Sequence, residues 1–196
     1  MSEYRPPEIL FLDRMETPIG TILVVADGGG RMRALDWLDC AERMERLLRL
    51  HYGPVGAGFL VDERPMPQAM REALEAYFNG DLAAPGRILV RTGGTAFQRD
   101  VWAALREIPA GTTITYGELA GRVGRPKAIR AVGLANGANP LSVVVPCHRV
   151  IGKGSSLSGY AGGLERKRWL LAHEGVALSG TRRRQTRSFR NPAASL

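Results

Sequence analysis

The sequence has few cysteines, and it has no long run of apolar residues. Only Cys40 and Cys147 occur among its 196 residues, which excludes a disulfide framework or a multi-cysteine zinc site and favours a reducing compartment. The longer apolar stretches, such as residues 141–145 with Ser142 inside, are far shorter than a membrane span, and the N-terminus lacks the apolar region of a signal peptide. These absences predict a cytoplasmic protein with no membrane partner.

Acidic residues are scarce relative to basic ones. The formal net charge of +8 favours a polyanionic partner. Much of the excess lies in residues 179–196, which hold five arginines and no acid. The polar composition of this segment cannot build a core, so we expect a disordered basic tail, which either contacts the partner or only improves solubility.

The rest of the chain changes character near residue 90. Before that point, apolar runs at 9–15, 20–26 and 32–38 are separated by glycine-containing turns and predict antiparallel strands. Helical periodicity follows at 41–51 and 68–78. Residues 1–90 are therefore expected to form an α/β scaffold domain with a small antiparallel sheet. No catalytic constellation is evident in this half.

Residues 91–178 are expected to form a second, mainly helical domain. Capping boxes at Thr95 and Thr115 each predict the start of a helix. A glycine turn follows the second of these helices, and Pro126 then stands where the first turn of a helix over 127–136 tolerates it. The two short helices predict a helix-turn-helix, a pattern that also occurs in enzyme domains without DNA contact.

The second helix of this pair is built largely from small residues. Ala128, Ala131, Gly133 and Ala135 surround a single Arg130. Glycine inside a helix costs roughly 1 kcal/mol relative to alanine, so a close approach of another surface would compensate for its presence. The approaching surface could be another helix or a nucleic-acid groove.

Cys147 stands beside His148 and Arg149, after an extended, β-branched segment at 141–145. An isolated cysteine in apolar surroundings is commonly an inert core residue, whereas an adjacent imidazole and guanidinium could activate it as a nucleophile. Adjacent side chains of a strand point to opposite faces, so His148 would need a bend or a bridging water to reach the thiol. These residues alone leave both roles open.

Six segments of the second half occur in an order that resembles the O6-alkylguanine-DNA alkyltransferases, or DNA-cysteine methyltransferases. The resemblance covers residues 93–176, and its most specific part is the pentapeptide PCHRV. The six segments are 114–120, 130–133, 139–140, 146–150, 159–163 and 170–175. The first half resembles this family only in its general α/β layout.

The resemblance implies a chemistry for four residues. Cys147 would attack the alkyl carbon on guanine O6, with O4-alkylthymine as a further candidate substrate, and would keep the alkyl group as a thioether. His148 would remove the thiol proton through water, Glu174 would orient the imidazole, and Tyr116 would donate to guanine N3. The family uses no metal and no organic cofactor, and each chain reacts once.

The resemblance also implies a partner, which is double-stranded DNA containing O6-alkylguanine, bound by a monomer. Arg130 would fill the space of a base that has left the stack, and Ala128, Ala131 and Gly133 would let their helix approach the minor groove. The substrate pocket would be bordered by Asn139, Val150, Tyr160 and Ala161.

Two other functions are compatible with parts of the pattern. A non-catalytic protein that binds alkylated DNA would share the fold, but such relatives replace the reactive cysteine, which is present here as Cys147. A Cys-His hydrolase would share the adjacent thiol and imidazole, but it would turn over repeatedly on an acyl substrate and would not need Arg130.

Overall fold

The computed structural model describes residues 7–56, 58–155, 157 and 159–177. The predicted basic tail at 179–196 lies outside these described residues. Within the part that the structure describes, no helix has the length and apolar character needed to cross a bilayer.

The first half forms a four-stranded sheet, and three of its strands agree with the prediction. In chain order, these three strands pair antiparallel with one another, the first with the second and the second with the third, and a fourth strand completes the sheet. The strands are β1 Glu8–Met15, β2 Ile22–Asp27, β3 Met32–Trp37 and β4 Phe59–Glu63.

Strand β4 corrects the expectation of a purely antiparallel sheet. It pairs parallel with β1, with Phe59 opposite Glu8, so the sheet is mixed. Phe59 is the one residue of β4 that is buried, and a short edge strand of this kind lacks the apolar alternation that would reveal it in the sequence.

Two helices of the first half follow the predicted periodicity closely. Helix α1 is Ala41–Tyr52 and helix α2 is Gln68–Phe78. In α2 the buried residues are Met70, Ala73, Leu74 and Tyr77, a spacing of three and four that places them on one face toward the core.

The second half is mainly helical, and both predicted capping boxes are formed. The Thr95 side chain accepts from the Gln98 amide, and the Thr115 side chain accepts from the Glu118 amide. The helices are α3 Ala96–Arg106, α4 Tyr116–Arg122, α5 Ile129–Gly137 and α6 Leu164–His173. Helices α4 and α5 are the predicted helix pair.

The predicted start of α5 at Pro126 is wrong. Pro126 and Lys127 lie in a turn that is closed by a hydrogen bond of 2.8 Å from the Ala128 amide to the Arg125 carbonyl, and the helix begins at Ile129. Proline is as compatible with a turn as with a first helical position, so its presence alone could not distinguish the two.

The predicted strand over 141–145 is also absent. Leu141 forms a single bridge with Leu35, and the chain then turns, with Val143 at a φ of 69°. The Asn139 side chain closes this turn, since it donates to the Val145 carbonyl at 2.8 Å and accepts from the Leu141 amide at 3.0 Å. Side-chain hydrogen bonds therefore override the strand propensity of these β-branched residues.

One apolar core cluster contains residues from both halves of the chain. Trp37 and Tyr77 come from the first half, and Trp102 and Leu170 come from the second. Cys147 lies in the same cluster. The division into domains at residue 90 stays a prediction.

Candidate active site

Cys147 lies in a tight turn and belongs to the core cluster, with only 5% of its surface exposed. Residues Cys147–Arg149 wind as a short 3-10 helix, and the chain then pairs Val150–Ile151 with Ile114–Thr115 in a small parallel sheet. We call residues 139–149 the reactive turn. Because a helical turn replaces the predicted strand, the strand geometry that would point Cys147 and His148 to opposite faces does not apply.

A buried carboxylate, Glu174, organises the groups behind the cysteine. His148 Nε2 lies 3.0 Å from Glu174 Oε1, and the Tyr77 hydroxyl donates to the same oxygen at 2.8 Å. Arg149 donates to both carboxylate oxygens, from Nε and from Nη2, at 2.8 Å each. Burial raises the pKa of Glu174, but hydrogen bonds from His148 and Arg149 outweigh it and hold the pKa below its usual range. Glu174 is therefore ionised.

The ionised carboxylate determines the tautomer of His148. Since Glu174 can only accept, Nε2 carries the proton and donates it, which leaves the lone pair on Nδ1. Burial lowers the pKa of His148 despite the opposing effect of Glu174, so the ring is neutral near pH 7. Nδ1 is buried and has no hydrogen-bond partner among the described residues. This nitrogen can accept a proton.

The thiol of Cys147 needs such a base. Burial raises its pKa, while a hydrogen bond with Asn139 and the positive charges of Arg43 and Lys167 act in the opposite direction. The thiol is therefore protonated at neutral pH in the resting protein. Removal of its proton has to accompany any reaction in which the sulfur acts as a nucleophile.

Lys167 is a fully buried lysine below the reactive turn. Its ammonium group donates to the Val150 carbonyl at 2.6 Å, and burial lowers the pKa of Lys167 to about 8. Val150 was expected to border the substrate pocket. In this structure the carbonyl of Val150 accepts from Lys167.

A cavity of about 290 Å³ opens beside Cys147. Four of the eight predicted catalytic and pocket residues are at its wall, namely Cys147, Tyr116, Tyr160 and Ala161, whereas His148, Glu174, Asn139 and Val150 are not. The residues that line it with Cys147 are Tyr116, Gly133, Asn136, Gly137, Gly159, Tyr160 and Ala161. A larger cleft of about 510 Å³ lies on the other side of the reactive turn, near Val143 and Pro146, and Cys147 is not among its lining residues.

The loop that carries Tyr160 and Ala161 is held by the first half of the chain. A side chain at Gly162 would place its Cβ 2.9 Å from the Tyr160 ring and 3.3 Å from Trp37 Nε1. Arg166 adds hydrogen bonds to the Ile19 and Gly162 carbonyls at 3.0 and 3.1 Å. This wall of the cavity is therefore packed closely, and Ala161 faces the cavity while Gly162 faces the core.

Helix α5 lines the cavity with one of its faces and exposes another. Gly133 and Gly137 line the cavity, whereas Arg130, Ala131 and Leu134 are exposed on the outer side. Ala128 caps the N-terminus of the helix and is half-buried. The sequence from 119 to 164 contains no Asp or Glu, so this surface is positively charged.

Three contacts of the site are absent from the sequence-based predictions, which named Arg149 only as a possible activator of the thiol and did not name Tyr77 or Lys167. Tyr77 and Arg149 hold Glu174, and Lys167 binds the Val150 carbonyl. The position of Arg149 in PCHRV was a signal that could have indicated its role. Tyr77 carries no such signal, because its place on the apolar face of α2 already accounts for it as a core residue.

The site therefore combines a buried free thiol, a hydrogen-bonded histidine–glutamate pair, and a cavity lined on one side by a helix of small residues. Family models match the chain in both halves. Residues 96–176 match the "6-O-methylguanine DNA methyltransferase, DNA binding domain", and residues 11–84 match the "6-O-methylguanine DNA methyltransferase, ribonuclease-like domain". The chain belongs to the 6-O-methylguanine DNA methyltransferase family.

Individual relatives agree with this assignment. The Methylated-DNA--protein-cysteine methyltransferase of Salmonella typhimurium is 50% identical over 169 residues, which is 86% of this chain and 98% of that protein. The protein of the same name from Haemophilus influenzae is 40% identical over 183 residues, 92% of this chain and 96% of that one.

Solved structures of similar proteins share the fold. Mycobacterium tuberculosis OGT in complex with DNA has a TM-score of 0.67 and 38% identity, and the match covers 84% of this chain and 93% of that one. The O6-methylguanine-DNA methyltransferase of Pyrococcus kodakaraensis has a TM-score of 0.62 and 27% identity, over 85% of this chain and 99% of the other.

Proposed function

We propose that this chain repairs double-stranded DNA by transferring the alkyl group from O6-alkylguanine to Cys147. The observation that carries the proposal is a buried thiol at the wall of a cavity, backed by a neutral imidazole whose second nitrogen is bonded to an ionised carboxylate. The family of the chain and the DNA complex of its Mycobacterium tuberculosis relative support DNA as the partner.

The first step activates the thiol. His148 Nδ1 takes the proton of Cys147, either directly or through a bridging water, and the ring becomes an imidazolium. Glu174, already ionised, stabilises this charge through Nε2 at 3.0 Å. Tyr77 and Arg149 keep the carboxylate in place, so the orientation of the imidazole is fixed before substrate arrives.

The second step transfers the alkyl group. The Cys147 thiolate attacks the alkyl carbon, the new S–C bond forms as the bond from carbon to guanine O6 breaks, and the electron pair of that bond goes to the base. Tyr116, on the cavity wall, donates its hydroxyl proton to the base, and the imidazolium can return a proton to the tyrosine. The products are a thioether at Cys147 and intact guanine.

The cavity cannot be reached by a base that stays stacked in the duplex. The alkylated nucleotide must therefore leave the stack, at a cost of a few kcal/mol. Arg130 is exposed on the outer side of α5, while Gly133 of the same helix lines the cavity. We assign to Arg130 the role of filling the space that the base leaves in the stack. The small side chains of Ala128, Ala131 and Gly133 allow α5 to approach the minor groove closely.

The S–C bond of a thioether is not cleaved under mild conditions, so the cysteine is not regenerated and each chain reacts once. The reaction uses one chain and one damaged base, and we take the protein to act as a monomer in the cytoplasm. Asn139 contributes indirectly, because its hydrogen bonds shape the turn that presents Cys147.

The test is incubation of the protein with a duplex that contains O6-methylguanine labelled in the methyl group. Label on the protein together with restored guanine supports the proposal. A duplex that is bound but keeps its label would indicate a non-catalytic binder of alkylated DNA. Repeated turnover on acyl esters without transfer from DNA would indicate a Cys-His hydrolase. Either of the last two results contradicts the proposal.

A further inference from the structure

The first half of the chain contributes an arginine to the C-terminal end of α5. Arg43 lies on α1, and its Nη2 donates to the carbonyls of Gly137 and Asn139 at 2.8 Å each. Its Nη1 pairs with the carboxylate of Asp36 on β3. The Asp36 side chain is 1% exposed and that of Arg43 is 16% exposed, so this is a largely buried connection.

The backbone of β3 makes a second connection to the same segment. The Leu35 amide donates to the Pro140 carbonyl at 2.9 Å, and the Ser142 amide donates to the Leu35 carbonyl at 3.0 Å. Together with Arg43, these bonds attach residues 137–142 to the sheet of the first half. The segment they attach lies between α5 and Cys147 in the chain.

An arginine suits this position for a physical reason. The last carbonyls of a helix have no partner within the helix and carry partial negative charge, which a cation compensates. A planar guanidinium can donate to two carbonyls and a carboxylate at once, whereas a lysine ammonium on a flexible stem cannot reproduce this fork. Arg43 therefore fixes the position and orientation of the C-terminal end of α5 relative to Asp36, and it also compensates the partial negative charge of the helix carbonyls.

The carbonyls that Arg43 holds are adjacent to groups of the active site. Gly137 lines the cavity, and the Asn139 side chain closes the reactive turn through the Val145 carbonyl. A shift of the end of α5 would therefore move one wall of the cavity relative to the Cys147 sulfur. Misplacement of reacting groups by about 1 Å can lower a rate on the order of a hundredfold.

We infer that Arg43, held by Asp36, is a positioning residue for alkyl transfer, because it fixes the C-terminal end of α5 and the reactive turn relative to Cys147. This inference rests on the proposed function. It assigns the first half of the chain a part in the reaction, beyond that of a scaffold.

The experiment compares Arg43→Ala and Arg43→Lys with a matched control, Arg71→Ala. Arg71 on α2 forms a partly buried pair with Asp13 of β1 at 2.6 Å, and neither residue lines the cavity. The melting temperature of each variant is measured first. The maximal single-turnover rate at saturating duplex and the duplex Kd are then measured at one temperature, well below the lowest of these melting temperatures.

We expect Arg43→Ala to lower the maximal rate about 10- to 100-fold while changing the duplex Kd less than about threefold. Arg43→Lys keeps the charge but loses the fork, so its rate should fall by roughly tenfold, and this variant remains informative if Arg43→Ala does not fold. Arg71→Ala should lose stability and keep the rate of the unaltered protein.

Two results would overturn the inference. One is a maximal rate for a folded Arg43 variant within about twofold of the unaltered protein. The other is a rate for Arg71→Ala that falls in step with its melting temperature, since the effect at Arg43 would then reflect general destabilisation. A failure of the unaltered protein to transfer any methyl group would instead contradict the proposed function.

Discussion

Glu174 shows how one residue can serve both stability and chemistry. It accepts from three side chains, those of the neighbours His148 and Arg149 and that of Tyr77, which lies 97 positions away in the chain. A buried charge is tolerated only when it is paired and hydrogen-bonded, and here the pairing also sets the tautomer of the base. A glutamate at the end of a helix opposes the helix dipole, and the interaction with the Arg149 guanidinium offsets this cost.

Glu174→Gln tests this dual role. The amide has the same shape but no charge, so it leaves Arg149 buried without a counterion and cannot stabilise the imidazolium. We expect the transfer rate to fall by about 10² to 10⁴ and the free energy of unfolding to fall by roughly 3–5 kcal/mol. Single-turnover kinetics and urea unfolding measure the two effects.

Tyr77→Phe is the control for that substitution. It removes one donor to Glu174 and leaves the contacts of His148 and Arg149 in place. We expect a loss of roughly 1.5–3 kcal/mol in stability, with a fall in rate much smaller than that of Glu174→Gln, because the charged carboxylate is still held by Arg149. A Glu174→Gln variant that transfers the methyl group at the unaltered rate would contradict the assigned role.

The lowered pKa of Glu174 also predicts a dependence of stability on pH. The pKa in the folded state lies below the ordinary value of 4.5, so the contribution of the carboxylate to stability is complete above that value. It should be lost progressively as the pH falls below about 4.5. Urea unfolding at a series of pH values should show this loss, and Glu174→Gln should show a shallower one. Equal slopes for both proteins would contradict the prediction.

At the level of elements, local signals predicted structure well where the determinants were local. Both capping boxes form, and α2 spans the residues that its periodicity predicts. The prediction of a strand over 141–145 was wrong. Its β-branched residues favour a strand, but hydrogen bonds with Asn139 and Leu35 hold the segment in a turn. Strand β4 was missed since it buries little, and its parallel pairing depends on a partner far away in the chain.

Helix α5 allows a direct test of the surface assigned to DNA. Leu134 is 72% exposed, one turn after Arg130, and Leu50 on α1 is 71% exposed. Full burial of a leucine stabilises by roughly 1.5–3 kcal/mol, and partial burial in a groove should be worth less. We therefore expect Leu134→Ala to weaken duplex binding about three- to tenfold.

Leu50→Ala is the matched control for Leu134→Ala, and it should leave the duplex Kd unchanged. Both variants should react with free O6-benzylguanine at the unaltered rate, because neither side chain lines the cavity. Fluorescence anisotropy with a labelled duplex measures the affinities. Equal affinities for the two variants would remove Leu134 from the interface.

At the level of the whole molecule, the two halves meet at the site. The residues to which we assign the chemistry lie in the second half, and the sequence motifs point to them. Tyr77 and Arg43 come from the first half, and their roles depend on contacts across about a hundred positions, as the sequence separations of 97 for Tyr77–Glu174 and 96 for Arg43–Asn139 show. No local pattern marks such contacts, so this part of the site could not be predicted.

The basic segment at the C-terminus, outside the described residues, leads to a prediction about affinity. Five arginines lie in residues 179–196, and each phosphate neutralised contributes about 0.9 to the slope of log affinity against log salt. We expect deletion of residues 180–196 to weaken binding to damaged and undamaged duplex alike and to flatten this slope by roughly 1 to 3 units. Reaction with the free base should be unaffected. An unchanged slope would show that the segment does not contact DNA.

The stoichiometry of transfer tests the central claim most directly. The protein is incubated with excess duplex containing O6-methylguanine, the restored guanine is counted per chain, and the modified peptide is mapped by mass spectrometry. We predict one methyl group per chain, on Cys147, with no further repair after that. Several equivalents of restored guanine per chain, or a methyl group on Cys40 in place of Cys147, would contradict the account.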